Sequence, residues 1–182
     1  MNNQNSLFFA VKQDKAPEVL KLVVEISKGD INKYEYNKDL GCLELDRVLY
    51  GPTFYPVNYC DVPNTWNSGD NDPLDAVLFS TTPIVPGVLA KGRVIGVMEM
   101  IDNGESDYKI VCVNDKDPRY SHVKTVEDLT EYERKDMKTF FELYKIPQTG
   151  KDTVKVGKFL GPKEAYEIIE KSLKEYKEKF EK

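Results

Sequence analysis

The chain is poor in the residues on which many catalytic and structural centres depend. Among 182 residues there are three cysteines and one histidine. Cys42, Cys60 and Cys112 are odd in number, far apart and in no Cys-x-x-Cys pair, so neither a disulfide framework nor a zinc cage is expected. The lone His122 excludes a histidine-rich metal centre, and its polar setting in Tyr120-Ser121-His122-Val123 reads as surface. Positive charge is also short, with 26 Lys and Arg against 31 Asp and Glu and a net charge of −5. A clustered basic face for a nucleic-acid backbone is therefore not expected. A small phosphate compound is not excluded, because divalent cations on acidic side chains reverse the local charge. Long apolar runs are missing too. Leu7 to Val11 is too short for a signal peptide or a membrane span, and Met1 to Phe9 lacks a basic leader, so a reducing cytoplasm is the expected location. A nucleotide phosphate loop is absent, since Gly150-Lys151-Asp152-Thr153 has neither the upstream Gly nor a Ser or Thr after Lys.

What is present is an ordinary globular composition, 40% hydrophobic and 31% charged. The length suits one domain over residues 1–182, with no repeat, low-complexity tract or linker to divide it. From Val19 to Val113 the pattern predicts strands at Val19 to Ile26, Lys33 to Asn37, Cys42 to Tyr50, Asp75 to Phe79, Val88 to Met100 and Tyr108 to Val113. Turn signals such as Asp39-Leu40-Gly41, Gly51-Pro52 and Asn103-Gly104 separate them, which favours a barrel or sandwich over a parallel sheet. The period then changes. Thr130-Glu131-Tyr132-Glu133 has the form of a capping box and predicts a helix to about Tyr144, ended by Pro147 and Gly150. A strand at Val154 to Leu160 follows. Pro162 then opens a last helix with Ala165, Ile169, Leu173, Tyr176 and Phe180 on its apolar side.

The segment Ser68-Gly69-Asp70-Asn71-Asp72-Pro73-Leu74-Asp75 puts three carboxylates within six residues. Charges this close repel unless cations or hydrogen bonds compensate, and carboxylate oxygens are what magnesium binds; a solvated acidic turn is the other reading. An EF-hand is excluded, because counting from Asp70 puts Leu74 at position five, Asp75 at six and Thr81 at twelve. A phosphatase with an aspartyl nucleophile in Asp70-x-Asp72 is weakened, because Thr65-Trp66-Asn67-Ser68-Gly69 rather than an apolar strand precedes the pair. A second acidic loop, Asp102-Asn103-Gly104-Glu105-Ser106-Asp107, precedes Lys109 and reads equally as a plain Asn-Gly hairpin. A non-enzymatic reading also stands, in which exposed Tyr55, Tyr59 and Trp66 of a barrel stack single-stranded bases against the acidic charge.

Asp70-Asn71-Asp72-Pro73-Leu74-Asp75-Ala76 resembles the signature of the family I soluble inorganic pyrophosphatases. Further matching segments follow in the family's order: Val24-Glu25-Ile26, Lys33-Tyr34-Glu35, Asp46-Arg47, Phe54 to Tyr59, Asp102 to Lys109 and Phe140 to Lys145. The resemblance implies an α+β fold, a five-stranded OB-like β-barrel with flanking α-helices. It implies hydrolysis of inorganic pyrophosphate to two orthophosphates by direct attack of magnesium-activated water, without a covalent intermediate. On this resemblance Asp70, Asp75, Asp102, Asp107 and Glu25 would serve several magnesium ions, and Asp72 would be the general base. Lys33, Arg47, Tyr59, Lys109, Tyr144 and Lys145 would hold the phosphate oxygens. The short length resembles members that form homohexamers. Two residues depart from the family pattern: Asn103, where many members carry Glu, and Cys60, where Gly is usual and a positive φ would strain a cysteine.

Overall fold

The computed structural model describes residues 6–69 and 71–181. A short helix α1 (Leu7–Ala10) precedes strand β1 (Val19–Ile26) and the hairpin β2 (Asn32–Asn37) and β3 (Cys42–Val48). Strands β4 (Asn58–Asn67), β5 (Asp72–Phe79), β6 (Leu89–Asp102), β7 (Glu105–Ser106) and β8 (Lys109–Asn114) follow. The chain ends with helices α2 (Glu131–Leu143) and α3 (Ile146–Thr149), strand β9 (Val154–Leu160) and helix α4 (Pro162–Phe180).

Pairing runs from β1 to β4, β5, β8 and β6, and β6 returns to β1. The sheet is thus the expected closed five-stranded OB-like barrel, with β7 and β9 added along β6 and helices outside. Closure removes the open edges that would invite aggregation. One barrel pair, β5 with β8, is parallel, and the chain between them runs through β6 and β7 rather than through a helix.

Strand β4 is the main correction to the sequence reading. Asn58, Asp61, Pro63, Asn64 and Thr65 break any hydrophobic alternation and look like loop. Tertiary hydrogen bonds make the strand possible. Asn58 donates to the Leu78 carbonyl at 3.0 Å, and Thr65 donates to the Val62 carbonyl at 2.6 Å while accepting from the Leu74 N–H at 2.9 Å. Pro63 and Asn64 fall where the β4–β5 register slips, and Asn64 takes φ 59° while donating to the Phe8 carbonyl. A proline without an N–H is tolerated at such a bulge. Cys60 is unstrained. It lies in extended backbone opposite Ala76, and positive φ outside glycine falls, among the described residues, on Asn64, Asn71 and Asn103.

Two apolar layers sandwich the barrel wall. On one side Met137, Phe140 and Phe141 of α2 pack with Ile26, Val77, Met98 and Val111; on the other Ala165 and Ile169 of α4 pack with Leu22, Val62, Leu74 and Ile110. The Thr130–Glu133 capping box forms as its sequence predicts. Pro147 does not end α2; it sits in the first turn of α3, and Gly150, at φ 66°, ends α3. No helix among the described residues is long and apolar enough to cross a membrane.

Candidate active site

The barrel mouth carries a cleft of about 420 Å³ lined by residues from most of the chain. Hairpin β2–β3 supplies Lys33 and Arg47, which face each other in register. Asp46 is the extra residue of a bulge there and pairs with both cations. Strand β4 supplies Tyr59, and β5 supplies Asp72 and Asp75. The β6–β8 turn supplies Asp102, Asp107 and Lys109, while Tyr144 and Lys145 close the cleft from the end of α2. Asp70 lies outside the described residues. Every other sequence candidate except Glu25 lines this cleft. Glu25 lines an adjoining cavity of about 220 Å³, which shares Lys33, Tyr59, Asp72 and Asp75 with it.

Backbone register explains how groups distant in sequence meet. Asp75 on β5 stands beside Lys109 on the parallel neighbour β8 and across from Asp61 on the antiparallel neighbour β4. The β1–β4 register slips at Glu25, so the extra residue turns its side chain out of alternation. The Glu25 carboxylate accepts the Tyr36 N–H at 2.6 Å.

Lysines neutralise many of these carboxylates. Lys109, 2% exposed, donates to Asp75 at 2.5 Å and also to Asp107. Burial alone disfavours its ammonium, yet the two carboxylates outweigh that and raise its pKa. Lys145 pairs with Asp102, Lys38 with Asp72, and Lys33 with Glu35 as well as Asp46. Burial, with Asp75 nearby, pushes the Asp107 carboxyl up despite Lys109. Burial and the carboxylates of Asp75 and Asp107 keep the Tyr59 hydroxyl protonated; burial and Asp102 do the same for Tyr144. Both hydroxyls therefore remain hydrogen-bond donors across the neutral range. The Arg47 Nε–H is buried without a partner.

The donor set fits hard divalent cations. Its ligating groups are carboxylate oxygens, with no histidine or cysteine among the described lining residues. No group of three or more such side chains among the described residues is preassembled around one ion.

Lys38, Glu35 and Asp61 share these walls but were not among the sequence candidates. A signal existed for two of them. On a strand, residues two apart share a face, so Glu35 follows Lys33 and Asp61 follows Tyr59. The second inference needed β4, whose polar composition hid it. Conversely, Tyr55 and Trp66 are 3% and 6% exposed, so they offer no platform for stacking bases. His122 is exposed, as its surroundings predict, and is not among the residues lining the cleft.

An OB-type barrel whose mouth sets paired carboxylates against lysine, arginine and tyrosine donors defines a metal-using, phosphate-handling class of protein. The model of the inorganic pyrophosphatase family matches residues 22–177. The inorganic pyrophosphatase of Geobacillus stearothermophilus is 41% identical over 161 residues, covering 88% of this chain and 96% of that one. The Thermus thermophilus enzyme is 41% identical over 165 residues, covering 90% and 94%. Its crystal structure superposes with a TM-score of 0.86 at 40% identity over 92% of this chain and 97% of that one. The Helicobacter pylori structure gives 0.85 at 38% identity over 92% and 98%. This chain belongs to the inorganic pyrophosphatase family, whose members are metal-dependent.

Proposed function

We propose that the chain hydrolyses inorganic pyrophosphate to two orthophosphates with magnesium as its cofactor, in the cytoplasm, as a single domain in a homohexamer. The observation that carries this reading is the meeting, in one cleft, of six phosphate-directed donors from four parts of the fold with the carboxylates of Asp72, Asp75, Asp102 and Asp107. Membership of the family and the short length support the substrate and the assembly.

Asp75, Asp102 and Asp107, with Asp70 from the family signature, would hold magnesium, and Glu25 would serve a further ion through water. When bound, magnesium supplies an acidified water and neutralises phosphate oxygens. Asp72 accepts the proton of the attacking water. It is solvent-facing and pairs with Lys38, so it stands where a water entering the cleft can reach it. Lys109 and Lys145 now rest on carboxylates that metal would claim, while Lys33 is held at the cleft by Asp46 and Glu35. Once displaced, the Lys109 and Lys145 ammonium groups are free for phosphate oxygens. Arg47 brings a planar fork, and Tyr59 and Tyr144 donate hydrogen bonds without adding charge. Together these donors hold the oxygens on which charge develops as the bridging bond breaks.

Orthophosphate release from pyrophosphate, assayed with magnesium and again with excess chelator, tests the reading. Release with magnesium and its loss in chelator are expected; an inactive magnesium-loaded chain would sink it. Radiolabelled phosphate retained on the denatured protein would instead favour an aspartyl nucleophile at Asp70.

A further inference from the structure

The inner wall of the site holds a carboxylate that the roles above leave unused. Asp61 is 6% exposed and faces Asp75 directly across the β4–β5 ladder. The bulge in β1 brings Glu25, 7% exposed, to the same 220 Å³ cavity. Like charges directly opposite on a ladder repel, and a buried carboxylate is tolerated when it is paired or coordinates a metal. The neighbouring carboxylates each have a lysine: Asp75 and Asp107 share Lys109, Asp72 has Lys38 and Asp102 has Lys145. Among the described residues no ion pair reaches Asp61 or Glu25. Asp61 receives the Val62 N–H and feels Lys38 only through its longer-range field. Glu25 receives the Tyr36 N–H. The cavity therefore has two deeply buried carboxylates aimed into it and no fixed cation on either.

We infer that Glu25 and Asp61 together hold a further hydrated divalent cation in this inner cavity, behind the ions assigned to Asp75, Asp102 and Asp107. Two carboxylates, with water filling the remaining positions, form an ordinary magnesium shell. A cation bound on Asp61 would offset the like-charge repulsion from Asp75 opposite it. Asp61 gives Glu25 a second protein ligand at a position where Glu25 alone would act only through water. The inference rests on the metal-dependent reading of the cleft, yet its test needs no substrate.

Manganese alone, added to the full-length chain without pyrophosphate, reports the number of ions bound through the free-ion paramagnetic resonance signal. Asp61→Asn and Glu25→Gln are each expected to bind one ion fewer per chain than the parent. The double variant is also expected to bind one fewer, because both residues serve the same ion. In chelator, Asp61→Asn is expected to melt higher than the parent, since the charge opposite Asp75 is gone. Parental ion counts in the single variants, or two ions lost in the double variant, would overturn the inference. Should Asp61→Asn fail to fold, Glu25→Gln keeps an acceptor for the Tyr36 N–H and its count decides in the same way. An inactive parent that still shows the single-ion loss would refute the hydrolase reading and leave this site standing.

Discussion

The two sides of the barrel wall solve opposite problems. Under α4, Ala165 and Ile169 are fully buried among aliphatic side chains, while Lys171–Glu175 and Lys174–Glu178 pairs line the solvated face. Burying one such aliphatic side chain stabilises by about 1.5–3 kcal/mol. At the mouth, Glu25, Asp61 and Asp107 are drawn together with their carboxyls pushed up by burial. That arrangement opposes folding and favours cation binding. The helix-covered side supplies the stability that the mouth spends on function, so changes on the two sides should separate activity from stability.

The sharpest separation is expected at Asp72, where Asp72→Asn should lower orthophosphate release with magnesium about 10²–10⁴-fold, the usual range for a lost general base. Its pair with Lys38 is solvent-exposed and so worth at most about 1 kcal/mol, and denaturant melts should barely move. A large loss of stability there would break the comparison. Ile169→Ala should do the reverse, destabilising by about 2–5 kcal/mol through the cavity it leaves while the folded fraction keeps its kcat/KM. Thr130→Ala removes the capping-box acceptor for the Glu133 N–H and should cost about 1 kcal/mol in urea unfolding; Thr130→Ser should restore it.

A smaller effect concerns pH. With their folded-state pKa values raised above the unfolded ones, Glu25, Asp61 and Asp107 make the native metal-free chain bind more protons than the unfolded chain. Their contribution to stability is therefore present below the unfolded carboxylate range and lost as pH rises above roughly 4. In chelator the Tm should be higher at mildly acidic than at mildly alkaline pH, by about a few degrees. Saturating magnesium should flatten or reverse that slope, and an equal slope with and without metal would remove the contrast between the two sides.

Legibility in the sequence followed the same division. Strand β9 and the helix pattern of α4 were readable because each shows a face to solvent and a face to the core, and the alternation survives in the residues. Strand β4 was not, because buried Asn58 and Asn64 donate to the carbonyls of Leu78 and Phe8, far along the chain, and Thr65 is satisfied by the Leu74 N–H of the neighbouring strand. With β4 went Asp61, whose shared face with Tyr59 follows only once the strand is known. The alternative of a base-stacking module required exposed rings at Tyr55 and Trp66, yet both are buried against other rings.

By itself the sequence determined the chemistry available: oxygen ligands without histidine or thiolate centres, cations for phosphate, and an ordered series of motif residues. Those are properties of side-chain type and spacing, which the chain carries unfolded. Only the tertiary structure decided which charges meet. The facing of Asp61 and Asp75, the wedge of Lys109 between two carboxylates and the turning of Glu25 by a bulge are all matters of strand register. Register is fixed by pairing between segments distant in sequence, and a slip of one residue would send each of those side chains to the other face.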